Sequence, residues 1–374
     1  MEQKITEFKE ETESYSNDDL FNITSWGADL SFRELVTMYE EGDLLKPELQ
    51  RKYVWNKKEA SRFIDSILLG LPVPSIFLAK QENESMLIID GYQRIMTIFD
   101  FIKGNKFQDS EKTFNLVNSE IINDRWRGKT FLELTQEEQR KIRTTTIHAI
   151  IFEQKHPQND TGMYQIFERI NTSGSALKPQ EIRNCVYQGD FNTLLFDLNE
   201  RELWRVAFGS KSYDARMFDL ELILRYFAMS DLKNFPEKNQ RSINLVKYLN
   251  NYMSMYQKMG CEKKESFKAR FENMLTILND ILGDNMFKRF DQNKDSFTGR
   301  ITPPMFDAIS AAADFASQSG FQKNNHTDYL SKYKELLNDQ KFISFTSVRT
   351  TNIENIKGRI ERASEILFGL VYEF

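Results

Sequence analysis

Apolar residues recur at helical spacing almost without a break from Leu194 to Leu370, whereas every stretch of strand-like alternation lies before Asp190. Such a chain must fold under two regimes, an α+β part followed by an all-α part. The spans Leu194 to Trp204, Asp219 to Met229, Ile243 to Met259, Phe267 to Leu282 and Ile356 to Leu370 each carry helical periodicity, and no strand is expected among them. The 374 residues also exceed what one hydrophobic core usually organises. The reading is therefore a polar tail over 1–25, an α+β domain over 26–190 and a helical domain over 191–374.

Within the α+β part the punctuation is dense. Ser31 and Glu34 have the spacing of a capping box, with Phe32, Leu35, Val36 and Tyr39 as the apolar stripe and Gly42 as the stop. Asn56 and Glu59 open a second helix whose buried face is Ala60, Phe63, Ile64, Ile67 and Leu68, and Gly70 ends it. Leu71-Pro72-Val73-Pro74 then leads to two short strands, Ile76 to Ala79 and Met86 to Ile89. Asp90-Gly91 breaks the second strand, and a helix follows from Gln93 to Lys103. Thr135 and Glu138 cap another helix, Thr144 to Phe152 alternates as a strand, and 161–170 and 179–188 read as helices.

A net charge of −5 argues against a protein that coats nucleic acid non-specifically, although a local basic groove stays open. The two cysteines, Cys185 and Cys261, have no ligand-like spacing, so neither a disulfide framework nor a cysteine metal site is expected. The N-terminus lacks an apolar signal core. The longest apolar stretch, Ser66 to Ala79, is interrupted by Gly70, Pro72 and Pro74, so no membrane span is expected. These features place the protein in the cytoplasm.

Three elements carry chemistry. At Asp90-Gly91-Tyr92-Gln93-Arg94 a strand runs into a helix, whose first-turn amides favour an anion. Gly91 lets phosphate oxygens approach the backbone, Arg94 can pair with them, and Gln93 can orient a water. Asp90 can cap the helix, hold Arg94 or bind Mg²⁺ through water. Gln50-Arg51 with Tyr53 and Trp55 precedes a helix start that can also face an anion. Phe167-Glu168-Arg169-Ile170-Asn171, followed by Thr172-Ser173-Gly174, can present backbone amides and Arg169 to a ligand. Singly, each also reads as a helix cap with its loop. Arg125-Trp126-Arg127-Gly128-Lys129 combines cations with an aromatic, a composition able to grip a phosphate backbone and stack a base, although taken alone it reads first as a solvated basic face.

Taken in order, Pro47…Gln50-Arg51…Trp55, Leu69-Gly70-Leu71-Pro72, Asp90-Gly91-Tyr92-Gln93-Arg94 and Phe167-Glu168-Arg169-Ile170-Asn171…Gly174…Leu177…Glu181 resemble the family that forms the N-terminal half of GmrSD restriction endonucleases. That family's signature is Asp-Gly-Gln-Gln-Arg. The resemblance spans roughly 26–190 and extends, more distantly, to ParB and sulfiredoxin. It implies a ParB/sulfiredoxin-like domain that binds a nucleoside triphosphate with Mg²⁺, in many members hydrolysing it, in defence against phage or modified DNA. It assigns Asp90 and Gln93 to chemistry, and Gln50, Arg51, Gly91, Tyr92, Arg94, Arg169 and Asn171 to the ligand. Tyr92 stands where the family has Gln, so a phenol replaces that amide.

GmrSD enzymes add an HNH nuclease, which needs histidines around a metal. Here His148 sits in an alternating strand, while His156 and His326 lie in polar loops. The chain therefore reads as a sensor or regulatory protein that works with DNA and a separate nuclease or effector subunit. A ParB-like nuclease and a non-catalytic DNA- or protein-binding module are the alternatives.

Overall fold

The computed structural model describes residues 23–46, 55–81, 83–107, 112–154, 161–170, 177–231, 241–291, 294–299 and 301–372. These residues group into two compact units, one of 23–177 with 184–186 and the other of 178–183 with 187–372. The fold is α+β, with a mixed sheet in the N-terminal part and helices in the C-terminal part.

The sheet contains β1 (Ile23–Ser31), β2 (Leu44–Leu45), β3 (Ile76–Lys80), β4 (Met86–Asp90) and β5 (Thr146–Gln154), in the order β1-β5-β3-β4-β2. β1–β5 and β3–β4 pair antiparallel; β3–β5 and β2–β4 pair parallel. The same unit holds α5 (Thr161–Ile170) and four helices that pack with the sheet: α1 (Phe32–Glu41), α2 (Lys57–Leu69), α3 (Tyr92–Lys103) and α4 (Gln136–Thr144). Their apolar faces close one core with the sheet, in which Phe32, Ile64, Ile67, Ile76, Leu78, Ile88, Phe101 and Ala149 are all buried.

The helix starts follow the local sequence. Asn56 Oδ1 accepts from the backbone N–H of Lys58 and Glu59, and Glu59 Oε2 accepts from Asn56 N at 2.8 Å, which completes the expected box. At α1, Ser31 Oγ accepts from Glu34 N at 3.2 Å. The tail, expected to run to residue 25, gives way earlier, because β1 begins at Ile23. This strand is nine residues of edge held by backbone pairing to β5. Its residues 24–27 are exposed, so side-chain alternation could not announce it.

The second unit is helical: part of α6 (Pro179–Val186), then α7 (Asp190–Asn199), α8 (Glu202–Phe208), α9 (Phe218–Ser230), α10 (Leu245–Met255) and α11 (Cys261–Leu282). After a two-stranded ribbon, β6 (Arg289–Asp291) with β7 (Ser296–Thr298), come α12 (Pro303–Gln318), α13 (Tyr329–Asn338), α14 (Gln340–Ser347) and α15 (Ile353–Ala363). The ribbon corrects the expectation of no strand after Asp190. Three-residue strands are too short to show a period, and Phe297 is spent stacking on Tyr333 at 5.5 Å. The expected helix from Leu194 to Trp204 is broken in two. Asn199 Oδ1 accepts from Trp204 Nε1 and Arg205 Nη1 across the break, each at 2.8 Å.

Alanine-rich α12 packs against α9, α11 and α15, and its small residues let those helices approach. Two of its aspartates, a near-integral number of turns apart, anchor the neighbours. Asp307 accepts from Arg225 Nε and Nη2 at 2.9 and 2.6 Å and from Arg359 Nη2 at 3.0 Å. Asp314 accepts from Arg270 and, at 2.7 Å, from the Tyr226 hydroxyl.

Candidate functional site at the β4–α3 turn

The turn is built from backbone geometry first. β4 ends at Asp90, Gly91 takes a left-handed conformation (φ +100°), and α3 starts at Tyr92. A Cβ at Gly91 would lie 2.3 Å from Ile76 Cγ2 on β3, so both the conformation and the close approach require glycine. Gly91 offers no capping side chain to the first-turn amides of α3.

Asp90 does not cap the helix. Its Oδ2 accepts from Arg94 Nη2 at 2.6 Å, one helical turn on, and the same Nη2 donates to the Ser75 carbonyl at 3.2 Å. Of the three roles open to Asp90 in the sequence, holding Arg94 is the one observed. Arg94 is 15% exposed and Asp90 45%. The Arg94 Nε is sealed from solvent and has no hydrogen-bond partner among the described residues. A buried donor left so costs about 1–3 kcal/mol.

Gln93 Oε1 accepts from the backbone N–H of Trp55 at 3.2 Å, which ties the turn to the residue that precedes the α2 cap. Trp55 packs edge-on against Phe63 and belongs to the core margin. Tyr92 likewise packs against the core, and burial, with Tyr39 and Asp100 nearby, pushes its phenol up to about 12.

Gln50, Arg51 and Asn171, together with Thr172-Ser173-Gly174, lie outside the described residues. Arg169 is exposed in the last turn of α5 (Thr161–Ile170) and shares no ion pair with the turn among the described residues. The structure thus brings together Asp90, Gly91, Gln93, Arg94 and Trp55. On α5 sequence reasoning passed over Gln165, which is fully buried with both side-chain polar atoms unpartnered among the described residues, and gave no separate role to Glu168, whose carboxyl burial raises. A glutamine inside an otherwise apolar helical stripe was the available signal.

The Arg125–Lys129 stretch is corrected. Trp126 is buried and its Nε1 donates to Asp65 Oδ1 at 2.7 Å, so no base can stack on it. Arg127 pairs with Asp124 and donates to the Ile122 carbonyl, and Arg125 pairs with Glu138 at 3.3 Å. His148 pairs with Asp29 of β1 at 2.8 Å, its ring lying over Gly27, where a Cβ would meet it at 2.6 Å.

Residues 32–188 match the family model of the GmrSD restriction endonuclease, N-terminal domain. Over residues 32–188 the chain is similar to that domain. The match takes in the whole β4–α3 turn, α5 and all of α6, along with the other motifs that carried the resemblance. No curated protein matches the chain. Among the described residues no helix is long and apolar enough to cross a membrane, and no group of three or more His, Cys, Asp or Glu side chains could hold a metal ion.

Proposed function

We propose that this chain is a nucleotide-binding sensor or regulatory component of a restriction or anti-phage defence system, with the phosphates seated at the GmrSD-type β4–α3 turn. The family assignment supports the restriction context. The nucleotide reading rests on one observation: Arg94 is fixed at a helix start that has no side-chain cap, with its Nε donor buried and unmatched among the described residues. A phosphate oxygen accepting from the Nε edge removes that deficit and meets the partial positive charge of the α3 N-terminus. Trp55, four residues after Arg51 in the sequence, is bonded to the same turn through Gln93.

Binding is favoured over hydrolysis. Gln93 Oε1 is engaged by Trp55 and Asp90 by Arg94, and each would have to release its partner to position water. One engaged carboxylate is a poor start for a protein-held metal, so Mg²⁺ would come with the nucleotide, whose phosphates supply most of its ligands.

Isothermal titration with each of the four NTPs and Mg²⁺ tests this. Arg94→Ala, shown folded by circular dichroism, should lose roughly ten- to hundredfold in affinity, and Arg94→Lys part of that. Phosphate release assayed alongside reports hydrolysis separately, and plasmid nicking reports the nuclease alternative. A wild-type protein that binds no NTP, or an Arg94→Ala protein that binds as well as wild type, overturns the reading.

A further inference from the structure

A cleft of about 380 Å³ opens on the helical side of the GmrSD-type domain, between α1, α3 and α4. Its walls are Arg33, Val36 and Glu40 of α1, Ile102 and Lys103 at the end of α3, and Arg143 at the end of α4. The volume falls in the range of small-molecule sites.

The charges there do not balance. Lys103 Nζ and Glu40 Oε1 pair at 2.5 Å, which cancels one cation against the carboxylate. Arg33 and Arg143 have no ion-pair partner among the described residues. Their placements differ in meaning. Arg143 sits in the last turn of α4, where a cation suits the helix dipole, and its guanidinium lies 5.0 Å over the Phe131 ring. Stacking uses the face of the guanidinium and leaves its edge N–H donors for an acceptor. Arg33 is the second residue of α1, where the dipole disfavours a cation. Arg33 and Arg143 line the same cleft, and an anion seated there that accepts from both relieves the charge that Arg33 carries against the local field. Val36 and Ile102 add an apolar floor, so the fitting occupant joins an anion to a flat or apolar body.

We propose that this cleft is a second ligand site, distinct from the β4–α3 turn, which takes one phosphate of a nucleotide between Arg33 and Arg143. The nucleotide is either free or a unit of a single strand; the chemistry of recognition is the same. Glu40 acts as a brake, since it neutralises Lys103, which would otherwise join the two arginines.

The test measures binding of AMP and of a twelve-residue oligothymidylate at low and moderate salt. Arg33→Ala/Arg143→Ala should weaken binding at least tenfold and flatten its salt dependence, because phosphate contacts are removed. Glu40→Gln should tighten binding severalfold by freeing Lys103, a gain that a merely structural role does not produce. Loss with AMP and oligonucleotide together marks a mononucleotide pocket; loss with the oligonucleotide alone marks a strand contact. The same comparison made in an Arg94→Ala background, where the turn's phosphate contact is already removed, should show the same losses, so failure at the turn and failure here are read separately. Wild-type protein that binds neither probe, or a double variant and a Glu40→Gln variant that both bind like wild type, overturns the proposal.

Discussion

Arg225 of the helical unit and Arg94 of the GmrSD-type domain are both arginines withdrawn from water onto an aspartate, but they keep different company. Arg225 is fully buried and grips fully buried Asp307 through two parallel hydrogen bonds, with Arg359 completing the carboxylate. Among the described residues Arg94 uses one nitrogen for both of its bonds, leaves Nε unmatched, and leans on an aspartate that is nearly half exposed. Geometry of the first kind spends the charge on architecture. Geometry of the second kind leaves a donor and an accessible carboxylate at a helix start, where a ligand can still complete the set.

The sharpest way to break that contrast is at Asp307. Asp307→Ala strands two buried guanidiniums, and removing one partner of a buried ion pair typically costs about 3–5 kcal/mol. Urea denaturation should show a loss of that order, a large fraction of the stability of an ordinary protein. Asp90→Ala, by contrast, should cost about 1 kcal/mol or less, because the pair is partly solvated. Equal losses at the two positions would mean that the β4–α3 turn is architecture too.

Gly91→Ala is next in size. The left-handed backbone alone costs a non-glycine residue about 1–3 kcal/mol, and crowding Ile76 adds roughly as much. Ile76→Ala in the same molecule should return part of the crowding term, seen as non-additivity in a double-mutant cycle. This alanine is therefore a probe of the turn's backbone and cannot report ligand approach, whatever it does to nucleotide affinity.

How much of this was legible before the structure follows from sequence separation. Ser31, the Asn56–Glu59 box and the Asp90–Arg94 pair connect residues within four positions of each other, and local spacing is what a sequence displays. Arg225 with Asp307 spans 82 residues and Trp126 with Asp65 spans 61, so both were invisible. That is why the Arg125–Lys129 stretch resembled a nucleic-acid grip: its aromatic and cations are arranged in sequence as if free, while distant partners had claimed them. The edge strand β1 was missed because backbone pairing to β5, not its own side chains, holds it.

A third test sits at the legible end of that range. Asn56→Ala removes the acceptor for two amides of α2 and should cost about 1 kcal/mol. Because Trp55 precedes this cap and is tied to Gln93, any effect on nucleotide affinity beyond the stability change would show that the turn depends on α2's entry. Thermal melts and titration of the same variant separate the two.

The smallest effect expected at neutral pH is at Tyr92, the residue standing in place of the family's glutamine. Its phenol makes no hydrogen bond among the described residues, and its ring packs on the core margin, so Tyr92→Phe should be almost silent at pH 7. Alkali separates them. Burial raises the folded-state value of Tyr92 to about 12, above the ordinary value of 10.0. The contribution is therefore complete below pH 10 and is lost as pH rises from 10 towards 12, where the unfolded chain ionises first. The wild-type protein should lose stability across that window more steeply than Tyr92→Phe. Tyr226, Tyr252 and Tyr333 of the helical unit, pushed up further by deeper burial, should ionise only when that unit unfolds. Phenolate absorbance followed against circular dichroism distinguishes the two groups: a Tyr92 signal that precedes unfolding marks the turn as the looser region. Tyrosines that all ionise together with unfolding would erase the difference between the regions. If Tyr92→Phe instead weakens nucleotide binding at pH 7, the hydroxyl touches the ligand and the phenol has taken over the missing amide's work.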